Sequence, residues 1–176
     1  MKCDDFSEFF GEHRDFFSTL KNWQEELYTQ PVTYLFLTKP FVNKGANETE
    51  FRTRSPTDIV YIGQTGKLGE RLRQYQECVI RKRTDESDMR RIERMKEFRK
   101  DGCETRISLL CCSKKEIAEE LEDLLLNAFN KIHGICPITN LTSKAKKEGS
   151  VDSVLERMRD YRTKGDIWRH KNRSKK

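Results

Sequence analysis

Residues 58–75 read DIVYIGQTGKLGERLRQY. The stretch begins as an apolar, β-branched strand and breaks at Gly63. It then crosses a short turn marked by Gly66 and Gly69 into a segment carrying Arg71, Arg73 and Tyr75. Upstream, residues 32–38 (VTYLFLT) are again β-branched and aromatic and read as a second strand. Two strands joined by a loop pair most simply antiparallel. Tyr34 and Tyr61 would then emerge on one face of the sheet, with Arg71 approaching over the turn. Two phenols and a guanidinium on one face suit a phosphate group, because arginine presents a planar fork matched to its oxygens.

Working outward, residues 6–28 place Phe6, Phe9, Phe10, Phe16, Phe17, Leu20, Trp23 and Leu27 at three- and four-residue spacings, predicting an amphipathic helix capped by Asp5 or Ser7. Residues 39–57 hold Pro40, Gly45, Asn47 and Pro56 among charges and read as a long polar loop. Helices are expected from the Gly66–Gly69 turn through Val79, and from 85 to 100 with Met89, Ile92, Met95 and Phe98 on one side. Residues 104–112 form a third strand with Ile107, Leu109 and Cys111 on one face. Ser113 and Glu116 have the spacing of a capping box opening a helix. Its buried face would hold Ile117, Leu121, Leu124, Leu125, Ala128 and Ile132, with Gly134 closing it. A last helix runs over 151–163. The expected fold is α+β: a small three-stranded antiparallel sheet flanked by helices. It divides into an N-terminal helical extension (1–30), a central domain (31–142) and a basic C-terminal helix and tail (143–176).

The net charge of +6 is unevenly placed. Residues 144–176 hold twelve Lys or Arg against five Asp or Glu, and the rest of the chain is nearly neutral. Such a tail is either a solvated surface or a grip on phosphate. No stretch approaches the roughly 18–20 apolar residues of a membrane span. The acidic, interrupted N-terminus does not read as a signal peptide. The six cysteines form no CxxC pair, which favours reduced thiols in a cytoplasmic protein over a zinc site.

Tyr61-Ile62-Gly63, preceded by a strand containing Tyr34, resembles the GIY-YIG nuclease family. The YIG triplet is intact, whereas the GIY element survives only as its tyrosine. Arg71 stands ten residues after Tyr61, where family members carry an essential arginine, and Tyr75 occupies a position that many members fill with histidine. The resemblance covers roughly residues 32–141. It implies a metal-binding glutamate on the helix after the third strand, where Glu122 matches best and Glu119, Glu120 and Asp123 lie close by. Asn140 resembles the asparagine that closes the motif set. The 27-residue separation of Tyr34 from Tyr61 makes residues 39–57 an insertion. Gln64 stands where some relatives have lysine, leaving Lys67 as the expected cation near Tyr61.

The resemblance implies a metal-dependent DNA endonuclease of the restriction, phage or mobile-element kind, acting as a monomer or homodimer with one Mg2+ or Mn2+. The alternative is a catalytically silent nucleic-acid-binding module on the same fold. In the enzyme, Tyr61 would accept a proton from water with Tyr34 orienting it, Arg71 would hold the non-bridging oxygens, and Glu122 would bind the metal. Tyr75 and Asn140 complete the site. Gly63, Gln64, Lys67 and Arg73 near the turn, with Lys144, Lys146 and Lys147 in the tail, are candidate DNA contacts. A phenol titrates near ~10, and a base useful near ~7 would need about 4 kcal/mol of preferential stabilisation of the phenolate. These groups are expected to meet in one solvent-open cleft.

Overall fold

The computed structural model describes residues 1–10, 13–22, 29–40, 47–81, 86–140 and 150–169. In chain order the elements are β1 (Arg14–Asp15), α1 (Phe16–Asn22), β2 (Val32–Pro40), α2 (Glu48–Arg54), β3 (Ile59–Thr65), α3 (Leu68–Arg81), α4 (Glu86–Lys100), β4 (Cys103–Cys112), α5 (Lys115–His133), α6 (Val151–Thr163) and β5 (Ile167–Arg169). The architecture is α+β, with an antiparallel sheet of five strands flanked by helices. The three long strands run β4-β2-β3, and the short β1 and β5 both pair with β4.

β2 lies between β3 and β4, and all but one of its residues are buried, which is why it reads as a near-continuous apolar run. Its pairing with β3 sets Tyr34 opposite Gly63 and Phe36 opposite Tyr61. Since side chains alternate along a strand, Tyr34, Phe36 and Tyr61 share one face, and Leu35 and Ile62 take the other. On the first face, α1, α3 and α4 close a core that includes Phe16, Leu72, Tyr75, Ile92, Met95 and Phe98. On the second, α5 and α6 pack Leu121, Leu125, Phe129, Val154 and Met158 against the sheet.

The N-terminal segment is not one helix over 6–28. Cys3–Phe6 form a single 3-10 turn, β1 follows, and α1 begins only at Phe16, its first turn capped by Asp15 Oδ1 accepting from the Ser18 amide at 2.7 Å. The aromatic spacing misleads because two separate groups generate it. Phe6, Phe9 and Phe10 enter the core on the α5 side, whereas Phe16 and Leu20 enter the core on the α3 side. Trp23 and Leu27 lie outside the described residues.

Residues 39–57 likewise hold more order than a loop. β2 extends to Pro40, and α2 is capped by Asn47, whose side chain accepts from the Glu50 amide at 3.1 Å. Phe51 anchors α2 edge-on to Phe98. Ser113 and Glu116 do not form a capping box. α5 starts from Lys114 with no side-chain cap, and Ser113 Oγ instead donates to Asp166 Oδ1 at 2.7 Å. The buried stripe of α5 is also rotated from expectation: Ala118, Asn127 and Phe129 are inside, and Ile132 is 47 % exposed. Gly134, at φ 67°, closes the helix in the left-handed conformation, as its position predicts.

The terminal segments belong to the main core. Met1, Phe6, Phe9 and Phe10 pack with Val154, Met158, Tyr161 and Ile167 in the same cluster as α5. The described cysteines Cys78, Cys103, Cys111, Cys112 and Cys136 are free thiols, and all but Cys136 are buried. Burial pushes the Cys111 thiol up to about 12 and the Cys112 thiol up to about 11. Among the described residues no helix is long and apolar enough to cross a membrane.

Candidate active site

The strand register decides the geometry of the tyrosines. Gly63 opposes Tyr34, so the Tyr61 ring can lean back over Gly63 toward the Tyr34 ring, with their centroids 5.8 Å apart. A Cβ on residue 63 would lie 2.4 Å from Cε1 of Tyr61. The glycine of the YIG triplet is thus required by the ring two residues before it.

Behind this pair lies Tyr75, from the second turn of α3. Its hydroxyl shares a 2.9 Å hydrogen bond with that of Tyr34. Tyr34 and Tyr75 are sealed, at 1 % and 0 % exposure, and Tyr61 retains 8 %. The solvent-open cleft expected from the sequence is therefore not found: all three phenols are buried in the core between the sheet, α3 and α4. Arg71 keeps about a third of its side chain exposed (32 %), with its guanidinium carbon 5.8 Å from the Tyr75 ring centre.

Two residues absent from the sequence-derived site complete the network. Asp88 and Arg91, both on α4, are buried at 5 % and 8 % exposure. Arg71 Nη1 donates to Asp88 Oδ2 at 3.0 Å, and Arg91 Nη1 donates to Asp88 Oδ1. One carboxylate therefore brackets two guanidiniums. Arg91 also donates to the Tyr75 hydroxyl at 3.3 Å and lies over the Tyr61 ring, 4.0 Å from its centroid. The cation expected beside Tyr61 is Arg91 rather than Lys67, whose ammonium pairs with Glu70 at 3.0 Å in solvent. An Asp–Arg pair three residues apart on a charged helix reads as a solvated ion pair, so only tertiary packing reveals its role.

The ionisation of the phenols runs opposite to the requirement for a ready base. Burial, reinforced by its neighbouring phenols, raises Tyr34 well above the usual tyrosine range. Burial also raises Tyr75. Tyr61 is raised too, chiefly by burial; Arg91 works against the rise and the Glu122 carboxylate adds to it. The free site thus holds neutral phenols at pH 7. Burial opposes the charge of Arg71 and Arg91, but the surrounding phenols and Asp88 more than offset it, and both guanidiniums remain protonated.

Of the four candidate carboxylates, Glu122 is the one whose charge acts on Tyr61. Glu119 pairs with Lys115 at 2.8 Å. Glu120 accepts from Arg157 Nε at 3.0 Å and from the Tyr161 hydroxyl at 2.5 Å. Asp123 is exposed on the next position of α5. No group of three His, Cys, Asp or Glu converges among the described residues. A single half-buried carboxylate completed by water and phosphate oxygens suits a hard ion such as Mg2+ or Mn2+.

Asn140 acts on the strand. Its Oδ1 accepts from the Ile62 amide at 3.0 Å and its Nδ2 donates to the Ile62 carbonyl at 2.8 Å. With Thr139, which donates twice to the Val60 carbonyl, it clamps the outer edge of β3 and so fixes the backbone on both sides of Tyr61. Gln64 is half-buried, and its Oε1 has no partner among the described residues. Arg73 is exposed and pairs with Glu77 at 3.0 Å. Lys144, Lys146 and Lys147 lie outside the described residues. Arg157, Arg159 and Arg162 on α6, and Lys164 at its C-terminal cap, all pair with carboxylates.

Comparison with protein-family models, with curated proteins and with solved structures returned no match.

Proposed function

We propose that the chain is a metal-dependent DNA endonuclease with a GIY-YIG-like site. The observation that carries this reading is the convergence of Tyr34, Tyr61, Tyr75 and Arg71 in one network, with the Glu122 carboxylate acting on Tyr61. Packing alone gives little reason for the charges: burying a guanidinium opposes stability unless it is paired, and apolar residues of similar volume often serve a core as well.

In the proposed reaction a phosphodiester lies across the exposed side of Arg71, whose donors hold the non-bridging oxygens and stabilise the charge that develops there. Glu122 would hold the divalent cation, Mg2+ or Mn2+, which supplies charge neutralisation at the leaving oxygen. Tyr61 starts as a neutral phenol and acts once it has lost its proton to solvent: the phenolate accepts the proton of the attacking water as the bond from phosphorus to the leaving oxygen breaks, and that oxygen takes a proton from solvent. Arg91 opposes its burial-raised proton affinity, and Tyr34 and Tyr75 fix its ring from behind. Rates should therefore climb with pH above neutrality.

A second reading, a catalytically silent phosphate-binding module, is favoured by one observation: burial raises the phenol proposed as proton acceptor. Incubation of supercoiled DNA with Mg2+ separates the two. Nicks that disappear on chelation support the enzyme, and binding without cleavage supports the module.

A further inference from the structure

Asp88 has no role in the reaction as proposed, and Arg91 has only its effect on Tyr61. A lone buried arginine beside a carboxylate would be a closed pair. Here one carboxylate serves two guanidiniums, leaving positive charge in excess around it. The Nε–H groups of Arg71 and Arg91 are both buried, and neither has an acceptor among the described residues. A buried donor without an acceptor is unfavourable, and charged donors more so. Arg91 is about nine-tenths buried by side chain (9 % exposed). It nevertheless borders a cleft of about 270 Å3 walled also by Arg90, Glu93, Arg94, Glu97, Ile138 and Thr139, where Glu97 is paired with Arg94. Thr139 is also the residue that holds Val60, next to Tyr61.

We propose that Arg91 is a second phosphate-binding guanidinium, set by Asp88 to act together with Arg71 on one phosphodiester. Each arginine commits Nη1 to Asp88, on opposite oxygens of the same carboxylate, so the two guanidiniums are held against one side chain. The donors left over match the chemistry of such an ion, which accepts on several oxygens at once. Arg91 contributes a further property through its position on the Tyr61 ring: an anion drawn toward it is drawn toward the phenol as well. This inference rests on the phosphate reading of the site, but not on catalysis.

The test uses the full chain without divalent metal, with inorganic phosphate as the probe. The arginine Nε–H resonances are followed by nitrogen-15 NMR and assigned with Arg71→Lys and Arg91→Lys, since lysine has no Nε–H. Both resonances are expected to move together and saturably. Arg91→Lys should weaken phosphate binding about tenfold, the scale of one charge-assisted hydrogen bond. Movement of the Arg71 resonance with Arg91 unmoved, or of neither, would overturn the proposal. If a variant fails to fold, seen by circular dichroism, the wild-type titration still decides. A second arm measures duplex DNA binding against salt. Arg91→Gln should reduce the slope by about 0.9, the value of one neutralised phosphate; an unchanged slope counts against the proposal. Phosphate bound by both arginines without DNA cleavage would sink the catalytic reading alone. Cleavage with a motionless Arg91 resonance would do the reverse.

Discussion

The two faces of the central sheet are built from alternate residues of the same strands, and both carry an apolar core, but only one of them also holds a cluster of phenols and charges. Toward α5, Leu35, Ile62, Leu110 and Cys112 meet Leu121, Leu125 and Phe129. Toward α3 and α4, Tyr34 and Tyr61 meet Tyr75, Arg71, Arg91 and Asp88. The first face is what folding requires: apolar area removed from water at about 25 cal/mol per Å2. The second holds charges whose desolvation their pairing only partly offsets. If the second face serves the proposed chemistry, substitutions should divide along the same line.

The largest stability effect is expected where a bracket between charges is removed. Asp88→Ala leaves the buried Arg91 guanidinium and the half-buried Arg71 without their carboxylate and should lower the free energy of unfolding by about 3–5 kcal/mol, measured by urea denaturation. A loss below about 1 kcal/mol would mean that the pair is effectively solvated. On the opposite face, Leu125→Ala should cost about 2–5 kcal/mol by creating a cavity, yet the protein that remains folded should keep its turnover per molecule. Loss of turnover there would blur the division between the faces.

Gly63→Ala sharpens it from the other direction. The added methyl would meet the Tyr61 ring, so the ring must swing away. The expected loss of stability is about 1–3 kcal/mol, and cleavage should fall more than that loss explains. A crystal structure with the ring unmoved would remove the reason given for this glycine.

Raised titrating groups make alkaline stability a further probe. Cys111 and Cys112, and Tyr34, Tyr61 and Tyr75, all hold their protons more tightly folded than unfolded. Their contribution is therefore complete below the unfolded values, near ~8.5 for thiols and ~10 for phenols, and is lost as pH rises beyond them. The midpoint of urea unfolding should be level at neutral pH and fall steadily above about pH 9. A flat profile to pH 11 would show that the rings and thiols are reached by water.

The smallest effect concerns the tail. The basic side chains of α6 are tied to carboxylates, and α6 carries part of the core, so removing residues 144–176 would damage the fold itself. Replacing only Lys144, Lys146 and Lys147 with glutamine tests charge alone. It should weaken duplex DNA binding by less than tenfold and flatten its salt dependence; an unchanged slope would assign those lysines to solvent.

What the sequence disclosed follows the range of each interaction. The β-branched and aromatic runs 32–38 and 58–64 gave two strands, and antiparallel pairing between them allowed Tyr34 and Tyr61 one face, which the register then fixed. The Gly66–Gly69 turn brought Arg71 over them. The N-terminal aromatics failed because residues spaced like one helix serve two cores on opposite sides of the sheet. Ser113 failed because a partner 53 residues away, Asp166, outcompeted the local cap. Asp88 and Arg91 were invisible for a related reason. On a helix as charged as α4 nothing local separates a buried pair from its exposed neighbours Arg90 and Arg94. Asn140 was legible as a site residue by resemblance, but its hold on the Ile62 backbone required coordinates.

The central claim is that the phenol–guanidinium face is a phosphodiester-cleaving site. Its most direct test is the rate of supercoiled DNA cleavage with Mg2+ for the wild type, Arg71→Ala and Glu122→Ala, each checked for folding. The account predicts cleavage by the wild type, abolished by chelation, and a fall of about 10²–10³ in each variant. Equal rates in all three, or a folded wild type that binds DNA and leaves it intact, would contradict it.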